Sequence, residues 1–100
     1  MANERDSSLE IRHMNTWGRA AQAARCYMLM AEQRPEKDDQ ELKEAKALLI
    51  AELAALLEIA KQLDTVLPLW KQVFYVQATR SMIAACGITQ QEIDDNQRVV

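Results

Sequence analysis

Between Ala47 and Ala60 the chain reads ALLIAELAALLEIA, a run in which only Glu52 and Glu58 are polar. A helix on the surface of a globular protein shows one apolar stripe of roughly 100° or a little more. Here Leu49, Leu53, Leu56, Ala60 and Leu63 make one face, Leu48, Ala55 and Ile59 a second, and Ile50, Ala54 and Leu57 a third. A helix apolar almost all round has to be covered on nearly every side. In a bundle of three or four helices each helix has about two neighbours, so the rest of the chain falls short of that cover. Several exposed leucines would cost several kcal/mol at ~25 cal/mol per Å², a large part of a typical stability of about 5–15 kcal/mol. The expectation is an intermolecular interface on this helix, formed by Leu49, Ile50, Leu53, Leu56 and Leu57. A second copy of the chain is the first choice of partner, because two-fold homodimers are the commonest oligomers.

The flanking sequence reads as helix too. Strong helix formers dominate, and glycine and proline occur twice each. Ser7 and Glu10 have capping-box spacing, and Arg34-Pro35 ends the first helix. Its core seam is expected at Met14, Trp17, Ala21, Ala24, Met28 and Ala31. Asp38 with Glu41 suggests the start of the second helix. Pro68 fits the first turn of a third, capped by Asp64 or Thr65, with Leu69, Val73, Val76 and Ile83 on its core face. Gly87 is a candidate C-cap, and Thr89 with Glu92 opens a short fourth helix. The expected fold is all-α: one domain over 1–100 with helices at about 8–33, 39–63, 66–86 and 89–96. That is a small antiparallel bundle of three long helices plus a short C-terminal one, dimeric through helix 2.

Chemistry is sparse. The net charge is −3, which disfavours a phosphate-neutralising surface. The polar N-terminus lacks the pattern of a secretory signal, and no run is long enough to span a bilayer, so a cytoplasmic location with reduced Cys26 and Cys86 is expected. His13 is the single histidine and reads as a surface residue on helix 1. No metal-ligand spacing and no nucleophile–base set can be assembled, so no cofactor, no small-molecule substrate and no enzymatic activity are expected. Glu52 and Glu58 fall on opposite sides of helix 2, each at a rim where a neighbouring Arg or Lys pairs with it.

Two functional readings remain. The first is a homodimeric interaction module that binds and sequesters or inhibits another protein. Its partner-binding candidates are the large residues the core does not need: Met28, Met30, Trp70, Phe74 and Tyr75, types enriched at interfaces. In length, helical layout and lack of catalytic residues the chain resembles, in outline and without a shared motif, bacterial quorum-sensing anti-activators of the TraM type. The resemblance implies a transcription factor as the partner; phage-encoded inhibitors and secretion chaperones share the same outline. The second reading is a helix-turn-helix regulator over residues 83–96, with Gly87 in the turn and Thr89, Gln90 and Gln91 reaching base edges. Against it, Asp94 and Asp95 would repel phosphates, Asn96 stands where an apolar anchor belongs, and Ile83 replaces a small residue.

Overall fold

The computed structural model describes residues 4–33, 40–71 and 74–98. Four α-helices follow in order: α1 Glu4–Gln33, α2 Gln40–Val66, α3 Tyr75–Ala85 and α4 Gln90–Arg98, with one 3₁₀ turn at Leu69–Lys71. Only α1 and α2 are long, at 30 and 27 residues; α3 has 11. The expected three-long-helix bundle is therefore wrong in its third member. The first helix also begins at Glu4, one turn before the Ser7–Glu10 box, while Asp38 lies outside the described residues.

The third helix is short because three local features oppose a continuous rod from 66 to 86. Leu67 precedes Pro68 and is pushed out of helical angles; its N–H closes a last turn on the Leu63 carbonyl at 3.0 Å. Phe74 adopts a left-handed backbone, φ 55° and ψ 59°, which no right-handed helix can pass through. The Asp64 carboxylate then restarts the helix, accepting from the Tyr75 and Val76 N–H groups at 3.0 and 3.1 Å. One carboxylate at the end of α2 thus satisfies two of the free donors of α3 and suits its dipole. The Thr65 hydroxyl caps nothing and donates to the Lys61 carbonyl.

The helices α1 and α2 form an antiparallel hairpin. Leu9 packs with Ile59, Leu63 and Leu67 at one end, and Ala20 and Ala24 join Leu49, Leu53 and Leu56 at the other. Between them Arg19 reaches Glu52 at 3.3 Å, while Glu58 pairs with Lys61 on its own helix. The helices α3 and α4 lie on α2 as well, bringing Ile83, Ile88 and Ile93 into the same core. Gly87 makes the turn with φ 74°. Thr89 and Glu92 then close a reciprocal box: the Thr89 N–H donates to Glu92 at 3.0 Å, and the Glu92 N–H donates to the Thr89 hydroxyl at 3.1 Å. Lys46 ties Glu92 back to α2 at 2.9 Å.

This packing corrects the expectation drawn from the middle helix. Leu49, Leu53 and Leu56 are 0% exposed and Leu57 is 1% exposed within the single chain, and Ile50 is half-buried against the same core. Within the single chain α1, α3 and α4 already cover these leucines, so they present no exposed face to a second copy. The residual outer face of α2 carries Ala47, Ala51 and Ala55, with Leu48 the one large exposed apolar residue of the 47–60 run. Alanine is apolar in a sequence pattern yet exposes too little area to need a partner, so the helix is less demanding than its letters suggest.

The core face of α1 is also shifted from the expected seam. Leu9, His13, Thr16, Ala20 and Ala24 are buried, with Trp17 and Tyr27 half-buried beside them. Met14, Ala21, Met28 and Ala31 face outward instead.

Candidate functional site

Among the described residues the large apolar side chains left in solvent fall mainly on two surfaces. One follows the bend between α2 and α3: Val66, Leu69, Trp70 and Phe74, with Leu69, Trp70 and Phe74 at 86%, 83% and 61% exposure. The other lies along α1: Ile11, Met14, Met28 and Leu29. Leu48 is exposed separately on α2.

The partner-binding candidates divide accordingly. Trp70 and Phe74 stand at the bend and Met28 on α1, all exposed. Met30 is half-buried. Tyr75 turns inward, packing on the Leu63–Leu67 cluster and meeting the His13 ring edge-on at 4.6 Å. Leu69, expected in the core of a longer third helix, is the most exposed member of the bend surface. It is displaced because Pro68 and the left-handed Phe74 remove this segment from α3. Phe74 itself is a bulky residue at positive φ, a position that costs on the order of 1 kcal/mol or more and that clusters at functional segments.

The helix-turn-helix candidates Thr89, Gln90 and Gln91 are exposed. The Gln90 amide donates to Asp94 at 3.1 Å and the Gln91 amide to Asp95 at 2.8 Å. The two amides that would read base edges are thus engaged by carboxylates of their own helix. The Lys46 hydrogen bond, together with the Thr89 N–H, holds the Glu92 carboxyl below the usual range.

His13, read as a surface residue, is buried. Trp17 lies 5.8 Å away, ring centre to ring centre, and the imidazole Nε2 has no hydrogen-bond partner. Loss of hydration lowers its pKa, opposed in part by the negative charge of Asp64. The sequence signal was available: His13 lies four residues after Leu9 and three before Thr16, on the face that packs.

Among the described residues no group of three or more His, Cys, Asp or Glu side chains converges to hold a metal ion. Cys26 is exposed and Cys86 half-buried, both as free thiols; burial pushes the Cys86 thiol up. Among the described residues no helix is long and apolar enough to cross a membrane. No protein-family model, curated protein or solved structure matches the chain.

Proposed function

We propose that the protein is a non-enzymatic interaction module that works as a small helical homodimer and binds, sequesters or inhibits a partner protein. The observation that carries the reading is the bend between α2 and α3, where Leu69, Trp70 and Phe74 stand in solvent within six residues of chain. Fully burying a large apolar side chain contributes roughly 1.5–3 kcal/mol, and tryptophan is the residue type most enriched in interface hot spots. Such a group in water is a cost that a bound partner removes. A transcription factor is the partner class favoured by the outline shared with anti-activators.

The test is comparative cross-linking. A photoreactive residue at position 70 should capture one dominant protein from source-cell lysate, and the same group at the exposed Gln62 should not. With the photoreactive residue kept at position 70, a Leu69→Ala/Phe74→Ala variant should keep its helical signal and melting temperature and lose that capture. Capture unaffected by the double substitution would refute the reading. For the partner class, adding the protein to the captured factor should weaken that factor's binding to its DNA.

A second reading draws on one feature: α3, the Gly87 turn and α4, with Ile88 and Ile93 buried, make a helix–turn–helix unit. It predicts salt-dependent binding to random duplex at low ionic strength. The interaction-module reading predicts none, in keeping with the acidic outer face of α4.

A further inference from the structure

The exposed face of α1 repeats with the spacing of a coiled-coil seam. Ile11, Met14, Gly18, Ala21, Arg25 and Met28 follow one another in alternating steps of three and four, and all six are exposed. Such spacing keeps one edge of a helix against a partner helix. The core-facing residues of α1 form a separate row, so this second row has no role in the fold of the single chain. Its centre supports that statement. Gly18 costs roughly 1 kcal/mol against alanine in a helix interior, yet a Cβ placed on it would meet nothing within 4 Å. Nothing inside the chain needs a glycine there. A shallow depression lined by Gly18, Ala21, Gln22, Arg25 and Cys26 surrounds it.

The row is self-complementary under a two-fold axis. In an antiparallel pair centred between Gly18 and Ala21, each position i meets position 39 − i of the second copy. Ile11 then meets Met28, Met14 meets Arg25, and Gly18 meets Ala21, so the bulky ends pair and the small centre permits close approach. Charge selects the direction. Glu10 flanks the early half of the row and Arg25 lies in the late half. Antiparallel pairing separates the two Arg25 side chains by 11 positions along the axis and sets each about one turn from the other copy's Glu10. Parallel pairing would set Arg25 against Arg25 and Glu10 against Glu10, which disfavours that arrangement.

On this row Ile11, Met14 and Met28 are 54%, 66% and 47% exposed, apolar side chains that a second copy would cover. We propose that the outer face of α1 is a self-association surface, and that its occupant is the α1 of a second copy, antiparallel and centred between Gly18 and Ala21. This gives a surface to the homodimer half of the functional reading and rests on that half alone; the partner site at the α2–α3 bend is separate from it.

Sedimentation of the full chain should show a dimer at tens of micromolar. Ala21→Asp places two like charges near the axis and should weaken association at least tenfold, with unchanged helicity because the residue is exposed. Spin labels at Gln22 should lie about 8 Å apart along the helix axis, and labels at Gln33 about 40 Å apart, from the 1.5 Å rise per residue. Short separations at both positions would mean a parallel pair and overturn the proposal. So would a monomer at every concentration up to ~100 µM, or a dimer indifferent to Ala21→Asp. Should Trp70→Ala/Phe74→Ala dissociate the dimer while Ala21→Asp leaves it intact, self-association belongs to the bend, and the α1 pairing is refuted. Lysate capture by the photoreactive residue at position 70, measured on Ala21→Asp, tests the partner site independently of the dimer.

Discussion

Among the described residues, His13 is the one side chain in which buried polarity and titration meet. Its ring sits between Trp17 and Tyr75, its Nε2 is unpaired, and burial lowers its pKa below 6.5 while Asp64 opposes the shift more weakly. Glu10 and Asp64 act on the neighbouring Tyr75 hydroxyl, whose pKa is raised first by its own burial. Because the folded pKa of His13 lies below the unfolded one, the unfolded chain binds the extra proton first as pH falls. His13 therefore supports full stability above about pH 6.5, and that stability is lost as pH drops through the folded value. The urea midpoint should be lower at pH 5.5 than at pH 7.5. Since the chain has one histidine, His13→Phe should flatten this part of the profile and keep the ring packing. A wild-type midpoint constant over that interval would show the imidazole to be solvated. Residue identity alone could not announce this. Polarity suggested a surface histidine, and only the Leu9–His13–Thr16–Ala20 spacing placed it on the packed face.

At the scale of elements, the short third helix depends on a long-range cap. Asp64 supplies both acceptors for the Tyr75 and Val76 N–H groups, and those hydrogen bonds are charge-assisted. Asp64→Ala should cost about 1–2 kcal/mol, read as a lower denaturant midpoint. Asp64→Asn should recover part of the loss, because an amide oxygen still accepts. Equal midpoints for wild type and Asp64→Ala would show that the tertiary packing of Ile83 and Tyr75 holds α3 without the cap. The helices α1, α2 and α4 were legible because their evidence is local: a long apolar run, a proline stop after the first helix, and the Thr89–Glu92 box after Gly87. The start of α3 was not legible, since its cap lies 11 positions upstream and its break is a backbone choice at Phe74. The same break governs the candidate site: Trp70 and Phe74 are visible by residue type, whereas periodicity places Leu69 in the core of a helix that does not extend that far. On α1 the sequence pattern points to the outward row as the core seam, because Met14, Ala21 and Met28 are apolar and regularly spaced. Two seams of similar composition on one helix differ only in what packs against them.

At the scale of the whole molecule, the chain is a narrow body of 52 × 25 × 19 Å with a Cα radius of gyration of 15.0 Å, against about 13 Å for a compact domain of 100 residues. A long hairpin with two short helices on α2 yields little interior for its surface. One core nevertheless joins all four helices: Ala20 and Ala24 from α1, Leu49, Leu53, Leu56 and Leu57 from α2, Ile83 from α3 and Ile93 from α4. Such sharing should make unfolding a single cooperative step, with far-UV circular dichroism and tryptophan fluorescence melting together. Leu53, 0% exposed in the middle of that cluster, gives the sharpest test. Leu53→Ala should cost about 2–5 kcal/mol through lost transfer energy and the cavity left behind, and both probes should shift by the same amount. Association in the folded state should be untouched, because the leucine faces inward. Ala21→Asp should show the opposite pattern, weakening association while sparing the intrinsic stability of the monomer. If Leu53→Ala instead dissociated a dimer into folded monomers, the middle helix would be an interface after all, and the assignment of its leucines to a shared interior would fail.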